Sequence, residues 1–168
     1  LADSLTGDQL RKLKAAYPDA AVVCYINSTA DVKAESDVCV TSGNVYDIVS
    51  NLPAQRILFV PDRLMADNVR SELKRRGVTK EIISSDGTCM VHDEFTAAQV
   101  HAARAQFPGL KVVAHPECTA EVAAAASAPS HGRKRHGSIS ARTPITIAAA
   151  WGQRAVRQSL QGARPPMY

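Results

Sequence analysis

Residues 111–118, KVVAHPEC, decide how the rest of the chain is read, because an apolar run typical of a short buried strand ends directly in His, Glu and Cys side chains. The segment 90 positions earlier, residues 21–28, reads AVVCYINS and has the same order of apolar run and polar end. The similarity extends over residues 10–32 and 100–122, with Tyr25 aligned to His115 and Asn27 aligned to Glu117. The chain therefore contains an internal repeat with two copies.

Each copy has the pattern of an α/β protein, with an amphipathic helix, a proline turn, an apolar strand and a polar end. We predict strands at residues 21–25, 37–41, 56–60, 80–84 and 111–114, and helices at residues 5–16, 30–35, 45–52, 64–75, 96–106 and 121–126. Alternating strands and helices indicate a small parallel sheet with helices on both faces. Because such sheets bind ligands at the carboxyl ends of their strands, we expect the polar ends to share one pocket.

The composition, with 45% hydrophobic and 21% charged residues, is that of an ordinary soluble globular domain. No run approaches the ~20 apolar residues of a membrane helix. The first residues have no basic and apolar stretch of the secretory type, so we expect a cytoplasmic protein. The chain begins at Leu1 without an initiator Met, which suggests a fragment.

The charge divides the chain in two. The first 126 residues carry 13 Lys or Arg against 16 Asp or Glu, a net charge of −3, whereas the last 42 carry seven Lys or Arg and no acid. We therefore treat residues 1–126 as the α/β domain and residues 127–168 as a basic tail, with a helix predicted around residues 145–160. No aromatic platform or motif in the tail supports nucleic-acid binding, which we do not expect.

Polar residues at the two strand ends suit acid–base chemistry. His115 and Glu117 flank the stiff Pro116, and Tyr25 in the other copy is a possible general acid or oxyanion donor. Ser42 and Asn27 are suited to holding carboxylates. Two simpler alternatives stay open: residues 115–118 only cap the next helix, and Ser42 is a plain helix N-cap.

The four cysteines show no CxxC spacing, and Cys24 and Cys39 lie within apolar strands, where we expect buried thiols. Cys89 follows an Asp-Gly turn, in what we predict to be an irregular loop. It could be a nucleophile paired with His92, one ligand of an iron–sulfur site, or a buried hydrophobe. The spacing does not decide among these.

Four segments together resemble the quinolinate synthase family: YINSTADVKAESDVCVTSGN at 25–44, FVPDR at 59–63, GTCMVHDEF at 87–95 and VVAHPEC at 112–118. The resemblance covers residues 1–126. It implies three similar α/β domains around a central site, of which this chain would be mainly the middle one. It also implies a transferase that condenses iminoaspartate with dihydroxyacetone phosphate to quinolinate in NAD biosynthesis, and an aspartate-oxidising enzyme as a partner that supplies iminoaspartate.

The resemblance also assigns roles to residues. It implies a [4Fe–4S] cluster, held by three cysteines and acting as a Lewis acid, with Cys89 as one ligand and Cys118 as none. Proton transfer falls to Tyr25, His115 and Glu117. The residues that contact substrate by this resemblance are Tyr25, Ile26, Asn27, Ser42, His115, Pro116 and Glu117.

The resemblance fails after residue 126, where the family would continue with an acidic residue, a Gly-Ser-Thr segment and a third cysteine. We expect the first domain and its cysteine to lie upstream of Leu1, and the tail to be disordered or the product of a frameshift or a mis-assigned gene end. Such a fragment could be inactive alone. The other hypotheses are a non-catalytic α/β module that binds a small dicarboxylate, and a Cys–His enzyme that uses Cys89 and His92.

Overall fold

The computed structural model describes residues 1–108, 110–126, 128–129 and 145–148. Its strands are β1 Ala21–Tyr25, β2 Val38–Val40, β3 Arg56–Val60, β4 Glu81–Ser84, β5 Lys111–Ala114, β6 Ala128–Pro129 and β7 Ile145–Ala148. Its helices are α1 Gly7–Ala16, α2 Ala30–Ala34, α3 Val45–Asn51, α4 Arg63–Arg75, α5 Met90–Asp93, α6 Ala97–Gln106 and α7 Ala120–Ala125. None of the helices in these ranges is long and apolar enough to cross a membrane.

The first four strands form one parallel sheet in the order β2-β1-β3-β4. The sheet is buried on both faces because side chains alternate along β1 and β3. On one face Val23 and Phe59 pack against α3 and α4, and on the other Val22 and Leu58 pack against α1 and α2. The predicted α/β class, with helices on both faces of a parallel sheet, is confirmed.

The sequence repeat is also a structural repeat. Helix α6 lies 90 positions after α1 at both ends, and β5 begins 90 positions after β1. Both helices start with the same capping box, Thr6 with Gln9 in one copy and Thr96 with Gln99 in the other. The strand registers agree as well, because β1 pairs residue 23 with residue 38 and β5 pairs residue 113 with residue 128.

The second copy does not extend the first sheet, contrary to our expectation of a single sheet. Strand β5 lies between β6 and β7 in a separate three-stranded parallel sheet. Residues 145–148 therefore form a strand where we predicted the start of a helix, as suits the β-branched run Ile-Thr-Ile. The rest of that predicted helix lies outside the described residues, and the domain boundary at residue 126 stays a prediction.

The two units are joined through Asn68 on α4, a buried residue that is 6% exposed. Its Nδ2 donates hydrogen bonds to the carbonyl oxygens of Pro116 at 2.8 Å and Cys118 at 2.7 Å. These bonds fix the turn that follows β5 against a helix of the first sheet. Consequently the carboxyl end of β5 lies beside the carboxyl end of β1, although the two strands belong to different sheets.

Candidate functional site

The predicted polar residues lie at or just after the carboxyl ends of four strands. Tyr25 is the last residue of β1, Ser42 comes after β2, and Cys89 comes after β4. His115 and Glu117 follow β5 in the second sheet. The structure brings these five side chains, from four parts of the sequence, to one region.

Glu117 lies at the centre of this region and is only 2% exposed. Its Oε2 is 3.1 Å from Nδ1 of His115 and 3.2 Å from Nδ1 of His92. Its Oε1 is buried and has no hydrogen-bond partner among the described residues. Burying a polar oxygen without a partner is costly, so this atom marks a place where a proton donor or cation is needed.

Nδ1 of His115 has two neighbouring polar atoms. Its Nδ1 lies 3.1 Å from Glu117 Oε2 and 3.3 Å from the Glu117 backbone nitrogen. A protonated Nδ1 donates to the carboxylate, and an unprotonated Nδ1 accepts from the amide N–H, so both states have a partner. The ring also stacks on His92 at a centroid distance of 4.7 Å and meets the Tyr25 ring edge-on at 6.4 Å.

Tyr25 is held as a neutral phenol. Burial, and then the negative charge of Glu117, raise its pKa to about 12, while the nearby Ser42 hydroxyl acts in the opposite direction. A phenol with this pKa remains protonated at neutral pH and donates a hydrogen bond. That state is the one required by the predicted role as an acid or oxyanion donor, which itself stays a prediction.

Cys89 differs in its setting from the irregular loop that we predicted. It is the N-cap of the short helix α5, and this single turn brings His92 back over it. The Sγ of Cys89 and the Nδ1 of His92 lie 3.1 Å apart. The thiol is partly exposed, whereas His92 is buried at 9% exposure.

Asp62 fastens this turn to the first sheet. Its Oδ1 accepts from the Met65 amide at 2.6 Å, which caps α4, and its Oδ2 accepts from the Cys89 amide at 3.1 Å. The side chain is fully buried, and this burial raises its pKa to about 6 against the lowering effect of the two amides. A single carboxylate thus positions both a helix and the cysteine backbone.

Gly87 allows the same segment to approach the sheet closely. A Cβ at this position would lie 2.4 Å from the Pro61 carbonyl oxygen, and the Arg63 amide donates to the Gly87 carbonyl at 2.7 Å. Only a residue without a side chain fits there. The turn that carries Cys89 is therefore held by a carboxylate, a backbone hydrogen bond and a close backbone contact.

The remaining predicted residues lie at the same strand ends, close to Tyr25 or Glu117. Ile26 is 42% exposed and Asn27 is exposed, so both are accessible at the surface beside Tyr25. Pro116 is buried, and Ser42 is half-buried near the Tyr25 phenol. All of the predicted substrate-contacting residues thus lie at or next to the same strand ends, while their roles stay predictions.

Both simpler alternatives for the polar ends are wrong. The N-cap of α7 is Thr119, whose Oγ1 accepts from the Val122 amide at 3.4 Å, whereas Glu117 is turned into the cluster. The N-cap position of α3 is occupied by Asn44 and not by Ser42. Thr119 caps α7 with its side chain, whereas Asn44 stands at the N-cap position of α3 without a side-chain cap hydrogen bond, and in neither helix is the predicted site residue the cap.

The other three cysteines differ from one another in burial. Cys24 is fully buried as predicted, and burial raises its pKa to about 11. Cys39 is exposed, contrary to prediction, because β2 is a three-residue strand at the edge of the sheet. Cys118 is fully buried in the core of the second unit, with a pKa raised to about 11, mainly by burial.

Sequence reasoning missed the supporting residues. Asp62 follows a strand and precedes a helix, a recognisable N-cap signal, but its second oxygen on the Cys89 amide was not predictable. Asn68 lies among buried positions of α4 such as Met65 and Val69, and a polar residue on an apolar face is a signal we did not use. His92 was considered only as a partner of a nucleophilic cysteine.

These features define an α/β protein with thiol, imidazole, carboxylate and phenol groups brought together at its strand ends, where such folds place their ligand sites. The sequence profile of the quinolinate synthetase A protein family matches residues 1–134. The chain belongs to that family.

Individual relatives support the same assignment. The chain is 44% identical to quinolinate synthase 1 of Mesorhizobium japonicum over 126 residues, which are 75% of this chain and 37% of that protein. It is 43% identical to the quinolinate synthase of Methanoregula boonei over 122 residues, which are 73% of this chain and 39% of that protein. It is 46% identical to the quinolinate synthase of Prosthecochloris aestuarii over 123 residues, which are 73% of this chain and 37% of that protein. The chain thus spans less than two fifths of the length of these relatives.

Proposed function

We propose that this chain forms part of a quinolinate synthase, a transferase that condenses iminoaspartate with dihydroxyacetone phosphate to quinolinate for NAD biosynthesis in the cytoplasm. The observation that carries the proposal is the convergence of Tyr25, Cys89, His115 and Glu117 from two sheets. Condensation, dehydration and ring closure all move protons, and these side chains offer both donors and acceptors in a buried place.

The geometry suggests how the roles are divided. The His115 imidazole and the Glu117 carboxylate, 3.1 Å apart, form a pair that takes and returns protons. Tyr25, as a neutral phenol, donates a hydrogen bond to a developing oxyanion. Ser42 and Asn27 offer polar side chains for the substrate carboxylates, and Ile26 and Pro116 belong to the same two contact segments.

Among the described residues, Cys89 is the one suitable ligand for the proposed [4Fe–4S] cluster. Cys89 is a partly exposed thiol at the strand ends, as a cluster ligand requires. Of the other cysteines, Cys24 and Cys39 lie in β1 and β2, and Cys118 is buried in the core of the second unit. One thiol does not hold a cluster, so the other two cysteines of the proposed set have to come from outside the described residues.

A Cys–His enzyme is the second candidate, favoured by the 3.1 Å between Cys89 Sγ and His92 Nδ1. In such enzymes the base contacts the nucleophile with one ring nitrogen and an orienting group with the other. Here the same Nδ1 faces both Cys89 and Glu117. Glu117 therefore contacts the nitrogen that faces the thiol and does not orient the base in the way of a catalytic triad, so the quinolinate synthase role is the better supported.

The proposal is tested in a chimera in which the segment of the Mesorhizobium japonicum protein matched by this chain is replaced by residues 1–126. After anaerobic cluster reconstitution, quinolinate formation is measured from dihydroxyacetone phosphate and iminoaspartate, the latter supplied by the proposed partner, an aspartate-oxidising enzyme. We expect quinolinate from the chimera and a loss of about a hundredfold or more in kcat for Tyr25→Phe and Glu117→Gln.

Matched controls change residues of the same type outside the site. Tyr17→Phe keeps the aromatic ring that lies 5.6 Å from the Arg56 guanidinium, and Glu121→Gln alters an exposed carboxylate on α7. Both are expected to retain activity. A folded chimera that makes no quinolinate, or one in which Tyr25→Phe and Glu117→Gln are fully active, contradicts the proposal; retained dicarboxylate binding in the inactive case would indicate a binding module.

A further inference from the structure

Two cysteines lie side by side on neighbouring strands of the first sheet. Cys24 on β1 is paired in register with Cys39 on β2, and their Sγ atoms are 3.4 Å apart. A disulfide has an S–S bond of about 2.05 Å and bridges Cα atoms that are about 4.4 to 6.8 Å apart. Neighbouring strands are separated by about 4.8 Å, which falls within that range. The two sulfur atoms therefore have to approach each other by only about 1.4 Å to form a bond.

The two thiols differ in their access to solvent. Cys39 is exposed, because β2 has three residues and forms one edge of the sheet. Cys24 is fully buried, in the core cluster that also contains Leu10 and Val32. An oxidant in solution therefore reaches Cys39 and not Cys24. An accessible cysteine with a second thiol beside it is the arrangement of a redox-sensitive cysteine and its resolving cysteine.

The two thiols also interact in the reduced chain. Burial, and then the hydrogen bond with Cys39, raise the pKa of Cys24 to about 11. Cys24 therefore keeps its proton at neutral pH and is inert until a reactive sulfur lies beside it. Cys39, in contact at 3.4 Å, can supply that sulfur. Groups held in contact within one molecule react much faster than the same groups on separate molecules.

We propose that Cys24 and Cys39 are a modification site, at which hydrogen peroxide forms a reversible disulfide. The Cys39 sulfur attacks one peroxide oxygen, the O–O bond breaks, and Cys39 becomes a sulfenic acid as a first water leaves. The Cys24 sulfur then attacks the Cys39 sulfur and displaces hydroxide, which takes the Cys24 proton and leaves as a second water. Two thiols are thus oxidised to one disulfide, and one peroxide is reduced to two waters. A dithiol reductant reverses the reaction by thiol–disulfide exchange.

The proposed bond joins the ends of two strands that lead into the candidate site. Cys24 directly precedes Tyr25, and Cys39 lies three positions before Ser42. The disulfide therefore adds a covalent tie between the segments that carry these two residues. It uses neither Cys89 nor any group to which the proposed reaction assigns a role, so this proposal does not rest on quinolinate synthesis.

The test is treatment of the full 168-residue chain with hydrogen peroxide, followed by blocking of the remaining thiols and tryptic mapping without reductant. Trypsin cleaves after Lys33, which lies between the two cysteines, so they leave on separate peptides, residues 15–33 and 34–56. We expect these two peptides to be joined, with a mass two hydrogen atoms below their sum. The joined peptides should come from single chains on a non-reducing denaturing gel, and dithiothreitol should separate them.

Variants separate the roles of the two thiols. Cys24→Ser should raise the labelling of Cys39 by dimedone, a reagent for sulfenic acids, by about tenfold or more, because no neighbouring thiol removes the intermediate. Cys39→Ser should leave Cys24 unoxidised. Cys89→Ser is the matched control, since it removes a different thiol and should leave the joined peptides unchanged. Far-ultraviolet circular dichroism shows whether each variant folds.

The unaltered chain decides the proposal even where a variant fails to fold. Joined peptides 15–33 and 34–56 from single chains support it. The absence of these joined peptides after peroxide treatment, or Cys39 joined only to the Cys39 of a second chain, overturns it. Quinolinate formation is read separately in the chimera, so the two proposals fail independently.

Discussion

Asn68 is expected to control both the stability of the protein and the shape of the site. Among the described residues of α4, it is the one whose side chain donates hydrogen bonds to the turn that carries Glu117. Asn68→Ala removes two buried hydrogen bonds, of 2.8 and 2.7 Å, and leaves the carbonyls of Pro116 and Cys118 without these donors. Each bond contributes about 1 kcal/mol net, and each buried acceptor left unpaired adds about 1 kcal/mol or more. The expected loss is therefore about 4 kcal/mol.

Urea unfolding followed by circular dichroism measures this loss as the difference in free energy of unfolding. Asn51→Ala is the control, since the exposed Asn51 makes one bond, to the Asp47 carbonyl within its own helix, and should change stability by less than about 0.5 kcal/mol. Asn68→Asp keeps the shape but replaces the donor, so it should be at least as harmful as Asn68→Ala. If both changes at Asn68 stay within about 0.5 kcal/mol of the unaltered chain, the reasoning is wrong.

Three further predictions concern the supports of the site. In urea unfolding, Gly87→Ala should cost about 2 kcal/mol, because its Cβ meets the Pro61 carbonyl oxygen. Gly77→Ala, strained only by its φ of 71°, should cost about 1 kcal/mol in the same measurement; a smaller loss for Gly87→Ala than for Gly77→Ala would contradict this. Asp62 has a folded-state pKa raised from 3.8 to about 6, so its destabilising effect is absent below pH 3.8 and grows as the pH rises to about 6. Urea unfolding of the unaltered chain and of Asp62→Asn at pH 4 and pH 7 measures this effect. Between these pH values the free energy of unfolding of the unaltered chain should fall by up to about 3 kcal/mol relative to that of Asp62→Asn; a difference between the two proteins that does not change with pH would contradict this. Brief alkylation with iodoacetamide, read by mass spectrometry, should label exposed Cys39 and spare Cys118, which is fully buried with a pKa of about 11; equal labelling would contradict the described burial.

The strands were predictable where apolar runs are buried on both faces. Residues 21–25, 56–60 and 111–114 were predicted with the bounds that β1, β3 and β5 have in the structure. Such runs stand out because turn residues bound them and no polar side chain interrupts them. The short helix α5 was not predictable, because four residues carry too little periodicity.

Sheet membership was not predictable from the same patterns. The run in β5 looks like that in β1, and nothing local states which strands lie beside it. Pairing of parallel strands is decided by contacts between residues far apart in sequence. The exposure of Cys39 has the same origin, because an apolar context does not reveal that a strand is short and lies at an edge.

The site was predictable to the extent that it follows the repeat. The register that aligns Tyr25 with His115 placed the two polar ends in equivalent positions, and the structure brings their rings to 6.4 Å. The contacts of Asp62 with the Cys89 amide and of Asn68 with the turn after β5 join residues 27 to 50 positions apart. Single-sequence patterns carry no information on such pairs.

The most direct test of the convergence of the two units is a nuclear Overhauser measurement on the full chain with labelled aromatic rings. The stacked rings of His92 and His115 at 4.7 Å should give strong cross-peaks, and Tyr25 with His115 at 6.4 Å should give weaker ones. His115→Ala should remove both sets and so assign them. Cross-peaks of this pattern would establish that β1, β4 and β5 end in one site; assigned rings with no cross-peaks between them would show that the two units do not form a common site.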